Sequence, residues 1–200
     1  IQNADGSFEK TKQQAFETDR NFEDMTSEFF DADNDGDQDL LVGSGGNEKA
    51  DQANYKNRLY LNNGKGIFTK STSVIPTTNN NVSVIVAYDF DGDGKAEIIL
   101  KTADGTIDGT GTVIGNATVD YRNTSGWVQQ GPEFLTVFNG LTGAAMASTT
   151  YQPARANTSD WGDSYGNRQD RFVSAVAYLD GARPSIVVGR GYYDKLVRAA

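Results

Sequence analysis

The sequence predicts an all-β fold, and three observations support this expectation. The 200 residues include 22 glycines and only 4 prolines, and together with many Asn and Asp residues this composition favours tight turns between short strands. A helix is expected only within residues 8–22, which lack Gly and Pro but whose apolar residues are too sparse for an amphipathic stripe. A segment with apolar ends and an acidic centre recurs along the chain, which indicates a repeated strand-turn-strand unit.

The repeated unit occurs in two full copies and one shorter copy. Residues 29–42 and 87–100 match almost residue for residue, whereas residues 177–188 form a copy that is two residues shorter and has lost most of the acids. A second element, residues 61–68, places an Asn/Gly turn between apolar residues, which is typical of a β-hairpin. Residues 134–146 are its counterpart in the next unit.

The order of these elements predicts propeller blades. The first eight residues match residues 61–68 position by position, so the chain is expected to open inside a hairpin. Each full unit then reads strand, acidic turn, strand, connection, strand, Asn/Gly turn, strand, and we predict a partial β-propeller of about three blade-equivalents of four-stranded antiparallel sheets. An irregular β-sandwich is the alternative. The predicted parts are the end of a preceding blade with a linker at 1–23, one blade at 24–81, a blade with long connections at 82–170, and the start of another blade at 171–200.

Composition excludes several functional classes. The net charge of −9 argues against a nucleic-acid-binding protein, which would carry a basic stripe. The absence of Cys excludes disulfides and thiolate metal sites, and the absence of His leaves oxygen ligands and a hard cation for any metal site. No apolar run reaches the roughly 18 residues of a membrane span, and the N-terminus lacks the basic and apolar regions of a signal peptide. Either the protein is not exported, or its leader lies outside this chain.

The two full acidic turns have the ligand spacing of a calcium loop. Carboxylates occupy positions 1, 3, 5 and 9, glycine at position 6 permits the sharp reversal, and the position 7 carbonyl supplies another oxygen. Position 12 is Val42 or Leu100 inside a strand, so these are loops between strands and not EF-hands. We predict one Ca²⁺ in each turn, with an Asx-rich turn without an ion as the alternative. The predicted ligands are Asp31, Asp33, Asp35, Asp37 through its carbonyl, and Asp39, and then Asp89, Asp91, Asp93, Lys95 through its carbonyl, and Glu97.

These motifs resemble two families. Residues 31–42 with 57–68 are similar to the FG-GAP or VCBS-type calcium repeat, which would extend over about residues 24–80. Residues 82–198 resemble the rhamnogalacturonan lyases of polysaccharide lyase family 11. The matching motifs lie at residues 87–97, 101–106, 108–111, 120–123, 131–138, 159–168, 177–181 and 190–193.

The second resemblance implies a function. Members of that family are secreted bacterial enzymes on an eight-bladed, calcium-rich propeller, and they cleave the rhamnose–galacturonate backbone of pectin by β-elimination. It therefore implies a polysaccharide partner, the remaining blades of a longer chain, and a secreted or cell-surface location. The family's histidine-containing calcium site lies in a later stretch, and this chain has no His. We therefore expect no lyase activity from these 200 residues alone, and no catalytic base is assigned.

Long connections between residues 107 and 170 are the expected place for substrate contacts, since they leave a rigid scaffold and contain aromatic and Arg residues. The alternative is that the aromatic side chains pack under a loop and the arginines pair with Asp120, Asp163 and Asp170. A rival function, in which lyase-like blades serve only as scaffold, is a non-enzymatic calcium-stabilised adhesion or carbohydrate-binding module. The candidate substrate residues are Arg122, Asn123, Trp161, Tyr165, Asn167, Arg168 and Arg190.

Overall fold

The chain forms antiparallel β-sheets with very little helix. The computed structural model describes residues 2–45, 52–71, 85–191 and 196–199; the predicted boundary between 81 and 82 lies outside them. Their one α-helix is α1, Gln14–Thr18, and two short 3₁₀ turns lie at Gln52–Tyr55 and Thr158–Trp161. The strands are β1 (Asp24–Phe30), β2 (Asp39–Ser44), β3 (Arg58–Asn62), β4 (Phe68–Lys70), β5 (Ile85–Tyr88), β6 (Glu97–Ala103), β7 (Thr106–Ile107), β8 (Val113–Ile114), β9 (Glu133–Asn139), β10 (Ala145–Thr150), β11 (Phe172–Ala177), β12 (Ser185–Arg190) and β13 (Leu196–Ala199).

The first sheet follows the predicted repeat strand by strand. Its order is β1-β2-β3-β4, and every neighbouring pair is antiparallel. The Asn/Gly turn between β3 and β4 is held by Asn62, whose side-chain oxygen accepts the N–H groups of Asn63 and Gly66. The opening residues repeat this turn in miniature, since Gln2 pairs with Phe8 in an isolated antiparallel bridge. The all-β prediction is therefore confirmed, and the bridge agrees with a turn at the start of the chain.

The second sheet has the order β10-β9-β6-β5, so β5, β6, β9 and β10 repeat the four-strand pattern. A separate hairpin, β7 with β8, is inserted between β6 and β9. The third sheet, β11-β12-β13, differs from the expectation of half a unit because a third strand pairs with β12. Within the described residues no helix has the length and apolarity needed to span a lipid bilayer.

Strand β6, in the second sheet, is buried on both faces. Ile98 and Leu100 of β6 belong to a core shared with Phe30 of the first sheet. Ile99 belongs to a separate core with Ile186 of the third sheet. Successive side chains of a strand point to opposite faces, so the apolar run in β6 serves both cores.

The three sheets follow one another in space as they do in sequence. β1 and β11 both lie against β5, so the first strands of the three sheets are neighbours. Successive propeller blades would be placed in this way. The sheets of the described residues do not close a ring, so the propeller remains a prediction.

Candidate functional site

The first acidic turn joins β1 to β2 and brings three carboxylates together. Oxygens of Asp31, Asp33 and Asp39 lie within 4.8 Å of one another. Asp31 accepts the main-chain N–H of Gly36 at 2.9 Å. Buried Asp39 accepts the N–H groups of Ala32 at 2.8 Å and of Asn62 at 2.7 Å. Hydrogen bonds to its own carboxylates therefore shape the turn.

The second acidic turn joins β5 to β6 with the same design. Oxygens of Asp89, Asp91 and Glu97 lie within 4.8 Å of one another. Asp89 accepts the N–H of Gly94 at 3.1 Å, and buried Glu97 accepts the N–H of Phe90 at 2.8 Å. Glu97 thus takes the place of Asp39, and the longer side chain keeps the same hydrogen bond to the second residue after the strand.

The position 5 acids lie outside these two clusters. Asp35 accepts the N–H of Asp37 at 2.9 Å, and Asp93 accepts the N–H of Lys95 at 2.8 Å. The Lys95 ammonium is 3.8 Å from Asp93. The structure therefore brings together three of the four predicted carboxylates in each turn.

The electrostatics of both turns favour a cation. Burial, and then the nearby charges of Asp39 and Asp35, raise the pKa of Asp33. Burial, followed by the charge of Asp91, raises the pKa of Glu97, and the pKa of Asp37 is raised as well. Oxygens that each lie about 2.3–2.6 Å from one Ca²⁺ are at most about 5 Å apart. The observed spacing and the all-oxygen donor set therefore fit Ca²⁺, which would offset the repulsion among the carboxylates.

In the third, shorter turn an arginine of the chain neutralises the acid. Asp180 accepts the main-chain N–H groups of Ala182 at 2.9 Å and Arg183 at 2.8 Å. The Arg183 side chain also donates to this carboxylate at 3.1 Å. The turn therefore carries its own cation, in the copy that lost most of its acids.

Two long loops carry most of the predicted substrate residues. Arg122 is exposed, and its guanidinium binds both carboxylate oxygens of Asp120, with the shorter contact at 2.6 Å. This hydrogen bonding lowers the pKa of Asp120 to about 2. The Asn123 side-chain oxygen accepts the N–H of Trp127 at 3.0 Å and therefore shapes its own loop.

The second loop is organised around Asp163. Its carboxylate accepts main-chain N–H groups from Tyr165, Gly166 and Arg168 at 3.1, 2.7 and 2.7 Å. Asn167 accepts a hydrogen bond from the Arg171 side chain at 2.9 Å. Asn167 and the main chain of Arg168 therefore already have protein partners.

The two aromatic candidates of this loop differ in placement. Trp161 is half-buried, and its ring lies against Gly191, where a Cβ atom would collide with it. Tyr165 is 54% exposed and touches the ring of Trp127 on the other loop. Trp161 therefore packs as the alternative interpretation expected, whereas Tyr165 stays accessible.

The placement of Arg190 corrects the prediction that it contacts substrate. Its side chain is 0% exposed and binds the buried carboxylate of Glu133. Lys101 and Arg155 bind the same carboxylate at 3.0 and 2.7 Å. Burial alone would raise the pKa of Glu133, but Lys101, Arg190 and Arg155 outweigh it and lower the pKa to about 2. Arg190 is an internal ion-pair residue because its strand carries it between the second and third sheets.

Two features escaped the sequence analysis. The Glu133 cluster includes Arg190, which is 57 positions from Glu133 in the sequence, and no local sequence pattern predicts this contact. Trp127 could have been singled out, since it is one of only two tryptophans and lies in an irregular loop. The position of its ring beside Tyr165 depends on the fold.

Comparison with known proteins identifies the family. The model of rhamnogalacturonan lyase family 11, C-terminal domain, matches residues 31–200, a wider stretch than the predicted 82–198 and one that includes the first acidic turn. Over 115 residues the chain is 62% identical to the rhamnogalacturonan endolyase YesW and 56% identical to the rhamnogalacturonan exolyase YesX, both from Bacillus subtilis (strain 168). These stretches are 58% of this chain but only 18% and 19% of the relatives.

A solved structure agrees with this result. The Bacillus licheniformis rhamnogalacturonan lyase PL11 is 43% identical, with a TM-score of 0.70 over 88% of this chain and 32% of that one. The chain thus spans less than a third of the length of each relative named here. The chain belongs to rhamnogalacturonan lyase family 11, within its C-terminal domain.

Proposed function

We propose that this chain is a calcium-binding β-propeller segment of a secreted or cell-surface rhamnogalacturonan lyase that cleaves the pectin backbone by β-elimination. The observation that carries the proposal is the family match over residues 31–200. The chain is 62% identical to an endolyase and 56% identical to an exolyase, which supports cleavage of rhamnogalacturonan but does not distinguish endo from exo action. The proposal includes a first blade of FG-GAP or VCBS type at about residues 24–80.

The calcium part of the proposal rests on the two acidic turns. Asp31, Asp33 and Asp39 would hold one ion, and Asp89, Asp91 and Glu97 would hold the other, with oxygens already within 4.8 Å of one another. Bound Ca²⁺ would supply positive charge that fixes each turn between its two strands. Because both turns are repeated parts of the scaffold, the role proposed for the ions is structural.

The substrate part of the proposal rests on the two long loops. Exposed Arg122 can turn its guanidinium from Asp120 to a uronate carboxylate, since both are planar bidentate partners. Asn123, Tyr165, Asn167 and Arg168 remain candidates on the same loops. Arg190 and Trp161 are left out because they are committed to contacts within the protein.

The chemistry of β-elimination defines the roles that substrate-binding side chains must fill. The C5 proton of the uronate is removed and the glycosidic oxygen leaves from C4, so negative charge develops on the carboxylate. A cation held against that carboxylate stabilises the developing charge. Arg122 can hold the carboxylate, while no side chain of this chain is assigned to take the proton.

The decisive experiment measures the unsaturated uronate product by ultraviolet absorbance. A full-length protein containing this chain should release it from rhamnogalacturonan, whereas the 200-residue chain alone should not. Steady product release by the short chain would contradict the second expectation. No release by the full-length protein, combined with calcium-dependent binding of the polymer, would instead favour the non-enzymatic carbohydrate-binding module.

Calorimetry tests the calcium sites. The chain should bind two Ca²⁺ ions, and Asp91→Ala should remove one site and spare the other. Asp180→Ala is the matched control, because this exposed acid lies in the turn neutralised by Arg183. An absence of binding heat in the unsubstituted chain, together with an unchanged melting temperature in millimolar calcium, would refute the calcium proposal.

A further inference from the structure

Trp127 and Tyr165 form an exposed pair of rings where the two long loops meet. Their ring centroids are 5.9 Å apart and the ring planes are inclined by 60°. Trp127 is 43% exposed and Tyr165 is 54% exposed. The rings therefore present a bent aromatic surface to solvent.

Main-chain hydrogen bonds anchor the two residues that carry the rings. The main-chain N–H of Trp127 donates to the Asn123 side chain at 3.0 Å, and the N–H of Tyr165 donates to Asp163 at 3.1 Å. Gln129 links the loops, since its side chain donates to the Ser164 carbonyl at 3.0 Å. An aromatic surface fixed in this way loses little conformational entropy when a ligand covers it.

Polar side chains lie beside the pair. Asn123 and Gln129 contribute side-chain amides, with the Asn123 nitrogen 3.3 Å from the Gln129 oxygen. Amides of this kind exchange hydrogen bonds readily with hydroxyl groups. A ligand suited to the site therefore has an apolar C–H face bordered by hydroxyls, as a sugar ring does.

The charge beside the pair selects the kind of sugar. Asp163 lies directly under the Tyr165 main chain, and hydrogen bonds from the main-chain N–H groups hold it in place. Its negative charge disfavours a second carboxylate on the rings, although the charge of Arg168 also acts on Asp163. A neutral ring is therefore preferred over a uronate, and a 6-deoxy sugar adds a methyl group to the apolar face.

We propose that Trp127 and Tyr165 form a stacking subsite for the neutral rhamnose ring of a rhamnogalacturonan chain. This inference rests on the proposed function for the identity of the polymer. The subsite fixes the register of the polymer, since rhamnose and galacturonate alternate along the backbone. Placing rhamnose on the aromatic pair leaves the flanking uronates to the cationic groups.

Tryptophan fluorescence and calorimetry on the 200-residue chain test the subsite, because Trp127 is one of only two tryptophans and the more exposed. Rhamnogalacturonan oligosaccharides should shift the emission to the blue, and the shift should disappear in Trp127→Phe, which retains only Trp161. Trp127→Ala should weaken binding about tenfold, while Trp127→Phe should keep most of the affinity, because a smaller ring still stacks. Oligogalacturonides should cause no shift.

Phe8→Ala is the matched control, since Phe8 is 80% exposed and belongs to the opening hairpin. It should leave binding unchanged, and all three variants should melt like the unsubstituted chain. Equal affinities for Trp127→Ala and the unsubstituted chain, or no sugar binding at all, would overturn the subsite. An equal response to oligogalacturonides would overturn its preference for a neutral ring.

A further comparison separates this inference from the proposed function. Binding of a neutral rhamnose polymer that depends on Trp127, with no binding of rhamnogalacturonan, would support the subsite and refute the proposed substrate. Rhamnogalacturonan binding that is independent of Trp127 would support the proposed substrate and refute the subsite. A change in self-association in Trp127→Ala without any effect on sugar binding would mark the pair as a protein interface and refute the subsite.

Discussion

Carboxylates in two regions of this chain meet opposite electrostatic surroundings. In the acidic turns, Asp33 and Glu97 face other acids, and burial with like charge raises the pKa of each. Between the second and third sheets, Glu133 is also buried but faces three cationic side chains, and its pKa is lowered to about 2. The comparison shows that the fold supplies the counter-charge to Glu133, whereas in the acidic turns the proposed Ca²⁺ would supply it.

The largest effect is expected from removing the charge of Glu133. Glu133→Gln keeps the shape of the side chain but leaves Lys101, Arg155 and Arg190 without their shared partner. Breaking a buried ion pair by removing one partner costs about 3–5 kcal/mol, so the free energy of unfolding measured in urea should fall by that order. The control Asp120→Asn removes the exposed partner of Arg122 and should leave stability unchanged. Similar behaviour of the two variants would show that the Glu133 cluster adds nothing beyond a surface pair.

A smaller effect is expected from calcium at the acidic turns. Ca²⁺ at about 100 times its Kd should stabilise the native state by about 2.7 kcal/mol per site, seen as a rise in melting temperature. Asp33→Asn and Asp91→Asn should each remove about half of this rise. With a chelator at neutral pH the same variants should be slightly more stable than the unsubstituted chain, because they relieve repulsion. Loss of stability under both conditions would mean that these acids support the turn without a cation.

The sequence predicts features built from neighbouring residues and misses features built from distant ones. The acidic turns could be predicted because every member of a cluster lies within nine residues, and the apolar run of β6 that ends the second repeat could be predicted as a strand. The Glu133 cluster could not, since its members come from two sheets and a loop. For the same reason the burial of Arg190 was not predicted, since its partner Glu133 is distant in the sequence.

Glu133 and the acids of the turns should also differ in how they change stability with pH. Because the pKa of Glu133 lies below its ordinary value of 4.5, its contribution to stability is present above pH 4.5 and is lost as the pH falls toward 2. Between pH 7 and pH 4 this loss amounts to about 1 kcal/mol. Acids of the turns act in the opposite direction, because the raised pKa of Asp33 makes protonation there favourable to the native state. Urea unfolding of Glu133→Gln with a chelator should therefore show a flatter profile over this range, and a profile parallel to that of the unsubstituted chain would refute the assignment.

The smallest effect is expected at the third turn, where the chain supplies its own cation on the surface. Arg183→Gln removes the guanidinium that binds Asp180, but main-chain N–H groups of Ala182 and Arg183 still satisfy that carboxylate. Both side chains are substantially exposed, and surface pairs of this kind contribute little to stability. The melting temperature should therefore stay unchanged, with and without calcium. Since a single carboxylate cannot form a calcium loop, the variant should also gain no third site in calorimetry. A third binding event, or a rise in the calcium response, would show that Arg183 occupies the place of an ion and that the turn retains more ligands than Asp180 alone.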